Sequence, residues 1–87
     1  MPSFDLVGYL DQSINGYNEI IGNRTLPEYT RKSFEHFKAV AEWLKAINTN
    51  APVSEIVRLS QVKETKAREA NEAMNRYLQQ HPELAGR

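Results

Sequence analysis

The sequence predicts an all-α domain of three to five helices, and three observations carry that reading. Between its breaks the chain repeats apolar residues at alternating spacings of three and four, the period of a helix face. No stretch shows the two-residue alternation rich in β-branched residues that marks a strand. Four prolines and several asparagines divide the 87 residues into segments of helix length. The expected organisation is a single helical domain over 1–82 with a frayed tail over 83–87.

The first helix is expected from Ser3, a suitable N-cap, to about Ile21. Val7, Leu10, Ile14, Tyr17 and Ile21 fall on one face as a narrow seam that would pack on the core or build a dimer. Gly8 and Gly16 each weaken this helix by roughly 1 kcal/mol relative to alanine; they suit either a close helix approach or a break. Gly22-Asn23 ends the helix, since both residues tolerate the left-handed conformation.

Thr25-Leu26-Pro27-Glu28 starts the second helix. Proline fits the first turn, and Glu28 suits the positive end of the dipole. The helix is expected to reach about Ile47. Phe34, Phe37, Val40, Ala41, Leu44 and Ile47 make a stripe broad enough to touch two other helices, so this is the expected central helix; Trp43 and Tyr29 lie off the stripe's centre. Asn48 to Pro52 reads as a loop, Ser54 or Asn50 can cap the next helix, and His81-Pro82 stops the last one.

The segment from Val53 to Leu78 admits two readings. It contains no glycine or proline and is dominated by good helix formers, which suits one continuous helix with Ile56, Leu59, Lys63, Ala67, Ala70, Met74 and Tyr77 as its stripe. A turn at Gln61 would instead give two short helices. Ile56 and Ser60 would come from the first, Val62 from the turn, and Ala67 and Ala70 from the second, with Met74 extending this core. In these positions the run Ile56 to Asn71 resembles the helix-turn-helix superfamily of DNA-binding regulators. Val57 stands where that family usually has alanine, and Gln61 where it prefers glycine. The resemblance implies a recognition helix in a major groove, with Arg58, Lys63, Thr65, Lys66, Arg68 and Glu69 as the candidate contacts to duplex DNA or to a protein partner. One such helix from a neutral protein binds weakly, so a homodimer would strengthen it. Glu28 to Glu35, with Ser54-Glu55-Ile56, also resembles segments of phasins, which coat polyester storage granules.

Composition narrows the function. Eleven basic and eleven acidic side chains give a formal charge of zero, so there is no long-range pull toward nucleic acid or an anionic membrane. With no cysteine and only His36 and His81 as histidines, the residues supply no zinc ligand set. His36 reads as a packing residue and His81 as a helix-end residue. Glu64 with Arg68 and Glu72 with Arg76 read as surface pairs at i,i+4. No paired carboxylates, phosphate loop or cofactor motif points to an enzyme. No apolar run spans a membrane and the N-terminus is not a signal peptide, so a soluble cytoplasmic protein is expected. The primary reading is a small non-enzymatic regulator that binds DNA through the helix-turn-helix. Its rival is a helical module that docks on a protein partner.

Overall fold

In the computed structural model, which describes residues 4–85, three long helices are followed by a single helical turn: α1 Leu6–Ile21, α2 Glu28–Asn48, α3 Val53–Gln80 and α4 Pro82–Ala85. The expected cap Ser3 lies outside the described residues. Asp5 caps α1 instead, its Oδ1 accepting from the Gly8 amide at 2.9 Å. Gly22 closes α1 with ordinary right-handed backbone, so the left-handed stop expected at Gly22-Asn23 is not used. The Gly22 amide still bonds to the Asn18 carbonyl, and Asn23 Oδ1 accepts from the Thr25 amide and hydroxyl to shape the turn.

Proline opens both later helices. Pro27 and Pro52 stand at the N-caps with extended ψ, and Glu28 and Glu55 occupy the first turns at the positive dipole ends. No side chain caps α3, so the capping role expected of Ser54 or Asn50 is corrected. Asn50 serves at the other end of the loop. At φ 57° it takes the left-handed position after α2, and the amides of Asn50 and Ala51 return to the carbonyls of Ile47 and Ala46. That is a Schellman closure, with asparagine in the place glycine usually holds.

α3 is unbroken. Its 28 residues run through Gln61 and Val62 with no turn, so the break expected at Gln61 is corrected to mid-helix. The physical reason lies in the segment itself. It offers no residue that favours positive φ, and propagating a helix through Lys, Glu, Ala and Gln costs little. The motif core expected there is not formed either. Ile56, Ser60, Val62, Ala67 and Ala70 are half-buried, Met74 is exposed, and the one buried residue of α3 is Ala73.

α2 is central, as its broad stripe implied. It packs against both α1 and α3, while among the described residues the backbones of α1 and α3 make no close approach to each other. The helices therefore form an open layer rather than a closed bundle. On the α1 side Leu10 is buried and Tyr17 lies against Phe34 and Phe37, with ring centroids 5.6 and 6.2 Å apart; the α1 seam thus packs on the core. On the α3 side Tyr29 meets Tyr77 at 4.5 Å and Lys63 lies over Trp43. Among the described residues the buried ones are Leu10 and four alanines, Ala39, Ala41, Ala46 and Ala73. Such small side chains let helix axes approach toward the short end of the usual 8–10 Å range.

Substitutions in α3 and α1 test these helices. Gln61 is exposed in mid-helix, so Gln61→Gly should cost about 1 kcal/mol in urea denaturation; a neutral or stabilising result would restore the turn. In α1, Gly16 has open space around it, whereas a Cβ at Gly8 would collide with the capping carboxylate of Asp5. Gly16→Ala should stabilise by about 0.5–1 kcal/mol, and Gly8→Ala should gain less, because the Asp5 carboxylate must shift from its capping position.

Candidate functional site

The six residues expected to form one binding surface are not brought together as a basic patch. Arg58 and Glu55 pair through two contacts, one of them Nε to Oε2 at 2.9 Å. That hydrogen bond holds the Glu55 carboxyl below its ordinary range and raises the Arg58 guanidinium. Lys66 reaches across to α2, its Nζ 3.0 Å from Glu35 Oε1 and 3.5 Å from Glu69. Arg68 lies 3.8 Å from Glu72 on the solvent side, so its partner is not the expected Glu64. Arg76 likewise leaves Glu72 and bonds to Glu28 of α2. Lys63 stands 5.0 Å above the Trp43 ring. Thr65 is half-buried on α3. Each cation of the candidate surface is thus matched by a carboxylate or set on an aromatic ring, which flattens the local field that phosphates would need.

The charges that remain are sorted by side of the layer. Two clefts open between α1 and α3. The larger, about 680 Å³, is lined by Asp11 and Asn15 of α1, Glu42 and Lys45 of α2, and Glu55 and Arg58 of α3, with others. The smaller has Glu35, Lys38, Val62 and Lys66 in its wall. Asp11 and Lys45 bridge α1 to α2 at 2.7 Å. This side is rich in charge, and Asp11 with Lys45, Glu55 with Arg58 and Glu35 with Lys66 are paired there. Val62, expected in a turn core, faces the smaller cleft.

The opposite side differs. A helix turns by about 100° per residue, so Val40 and Leu44, two residues either side of Glu42, lie roughly 200° around α2 from the clefts. Phe37, Val40, Leu44 and Ile47 form the middle of this second side. Beyond the α2 contact, α1 brings Leu6 and Tyr9 to the same side and α3 brings Ile56, Lys63 and Met74. Phe37 is 44% exposed, Ile47 40% and Met74 37%, in the register of a core but open to water. The broad stripe of α2 was read from the sequence as touching two helices. The structure covers only the half that faces α1. α3 instead packs on Tyr29, Ala39, Trp43 and Ala46, to one side of the stripe. The sequence signal for this was present in Ala39 and Ala46, small residues seven apart and hence on one helix face.

Two polar residues lie along the α2 part of this side, Ser33 and His36, and both are half-buried. The Ser33 hydroxyl donates to the Tyr29 carbonyl at 2.8 Å. The His36 ring packs 5.9 Å from Phe37, in the packing role expected of it. His81 stacks 4.3 Å from Tyr77 and lies 3.3 Å from Glu83. Among the described residues no group of three or more His, Cys, Asp or Glu is placed to hold a metal ion, and no helix is long and apolar enough to cross a membrane. Compared with known proteins, the chain matches no family model, no curated protein and no solved structure.

The bridge between Lys66 and Glu35 makes stability depend on pH. Burial pushes the Glu35 carboxyl up, but the Lys66 hydrogen bond and the charges of Lys66 and Lys32 outweigh it, leaving the group below its ordinary 4.5. The Glu28 carboxyl is likewise lowered, chiefly by its bond from Arg76. A group whose folded pKa is depressed supports folding above its unfolded pKa and loses that support as pH falls through the folded value. Stability should therefore decline as pH drops below about 4.5, and Glu35→Gln should flatten part of that slope in acid titrations followed by circular dichroism.

Proposed function

We propose that this chain is a non-enzymatic helical interaction module that docks on protein through its uncharged side, the face centred on Phe37, Val40, Leu44 and Ile47. The observation that carries this reading is the sorting of side chains. Paired charges crowd the cleft side, while the other side presents core-type residues to water with Lys63 and His36 as its basic groups. Exposed apolar faces of that kind are unusual on monomers and typical of contact surfaces. A buried contact core depleted of charge and holding aromatic and methionine side chains has the same make-up.

The DNA-binding reading draws less support. Its recognition helix would need to begin at Lys63, and Lys63 lies in the middle of α3. Its cations are matched by Glu55, Glu35, Glu69 and Glu72. The test is an amide chemical-shift titration with generic duplex DNA at low salt. No movement at Lys63 to Glu69 is the expected outcome. Shifts clustered there and reversed by added salt would overturn the docking reading in favour of DNA.

A further inference from the structure

We propose that the uncharged face receives an amphipathic helix of another protein that carries a carboxylate beside its apolar stripe, and that this carboxylate pairs with Lys63 over the Trp43 ring. This rests on the docking reading and gives that reading its partner.

Lys63 sets the charge of that partner. α3 carries five cations, and four of them, Arg58, Lys66, Arg68 and Arg76, pair with carboxylates of this chain. Lys63 has no such partner among the described residues; its Nζ stands 5.0 Å from the centroid of the Trp43 ring. The carboxylates of α2 lie elsewhere. Glu28 is bonded to Arg76, Glu35 to Lys66, and Glu42 lines both clefts. The α2 part of the face, made of Ser33, His36, Phe37, Val40, Leu44 and Ile47, contains none.

Covering the face makes that absence decisive. Lys63 is half-buried already. An ammonium that loses its remaining water must be paired, and a purely apolar partner would strand it. This chain offers no carboxylate there, so the partner supplies one. The Trp43 ring assists, because the attraction between an ammonium and an indole face grows as water leaves. A basic partner would set like charges together. A second copy presenting the same face brings another Lys63 and no carboxylate, and so does not supply the missing group.

The α2 ridge sets the partner's shape. Phe37, Val40, Leu44 and Ile47 recur at three, four and three residues, the spacing of a ridge that another helix accepts between its own side chains. Beside it, α3 places Ala67 and Ala70 four and seven residues after Lys63, on the same side as Met74. Such short side chains let a further helix come close. Phe37 to Ile47 spans about 15 Å, so about three turns of a partner helix cover it. An extended peptide would need a sheet edge, and the described residues form only helices. Nucleic acid and anionic lipid call for several cations, whereas Lys63 and His36 are the basic groups of this face.

The test uses two synthetic helical peptides of about 14 residues, each with leucines at alternating spacings of three and four. One carries glutamates beside the leucines and the other carries lysines. Trp43 is the only tryptophan, so its emission reports binding, and amide chemical shifts locate it. The expected result is a glutamate peptide bound along Phe37 to Ile47, at least about 10-fold tighter than the lysine peptide. Lys63→Met, which keeps an apolar stem over Trp43, should abolish that preference, and circular dichroism verifies that the variant keeps its helices. The net charge of zero leaves no whole-chain field to create the preference. A lysine peptide that binds equally well, or a preference that survives Lys63→Met, overturns the pairing at Lys63 and leaves the docking reading standing. No binding of either peptide at about 1 mM overturns the helical partner. Trp43 emission that shifts with phosphatidylglycerol vesicles and with neither peptide gives the face to lipid and overturns it too. Sedimentation velocity that shows a dimer broken by Ile47→Glu gives the face to a second copy, which overturns the proposal while supporting docking. Shifts confined to the clefts, at Glu42 and Arg58, remove the docking reading as well.

Discussion

α2 alone holds the other two helices in place, and it does so from nearly opposite sides. α1 lies along Phe34, Phe37 and Ala41, and α3 along Tyr29, Ala39, Trp43 and Ala46. In a closed three-helix bundle each helix shares its apolar stripe between two neighbours. Here, of the three long helices, only α2 packs against both of the others. The thinness of the buried core is a direct consequence. A side chain between two helices can be screened from water only if a third element covers it, and at most points of this layer none does. Alanines become fully buried because they are short enough to be covered by the two backbones themselves. Longer residues such as Val40, Leu44 and Ile56 remain half-open.

Much of this was legible in the sequence. The prolines at 27, 52 and 82 and the turn residues beside them mark the helix ends, because each acts through local backbone geometry that no distant contact has to supply. The centrality of α2 was expected from the width of its stripe, and α2 is central, but α3 packs beside that stripe rather than on it. The continuity of α3 was one of two readings, and the local chemistry at Gln61 favours it. What tipped the alternative was Val62, an apolar residue at the edge of the α3 stripe. In the fold Val62 lines a cleft beside Lys66 and Ile21, so a half-buried mid-helix position accounts for it without a turn. The direction of the α2 stripe was not legible from its periodicity, and only the small residues Ala39 and Ala46 beside it marked where α3 packs. Periodicity fixes how wide an apolar face is and not which part of it a neighbour covers. The Lys66–Glu35 and Arg76–Glu28 bridges were hidden for a similar reason, since their partners are 31 and 48 residues apart and only the packed layer brings them together.

The charge balance shows the same limit. A formal charge of zero describes the whole chain and conceals an uneven distribution. The carboxylates and cations lie along the clefts and the outer surface of α3, where they meet one another. Pairing on that side and near-absence on the other are two aspects of one arrangement. Exposed pairs of this sort contribute little stability individually. Their larger effect is on association, because a side covered with matched charges is costly to dehydrate and an apolar side is not.

The thin core and the open face have a single origin. If α1 swung over to meet α3 on the uncharged side, Phe37, Val40 and Ile47 would enter a conventional core and the face would vanish. If it swung to the other side, Asp11, Glu42, Lys45 and Arg58 would have to be stripped of water, at a cost that their pairing would not return. The first movement is resisted by the contacts already made. Tyr17 is committed to Phe34 and Phe37, and Lys45 anchors Asp11 on the cleft side. α1 is thus held at an angle from which it cannot close the layer on itself. A chain of this size is expected to be only marginally stable, and covering Phe37, Ile47 and Met74 adds to that stability only when another surface supplies what α1 cannot. Folding and docking therefore draw on the same residues, so the surface left over from the first is the surface offered to the second.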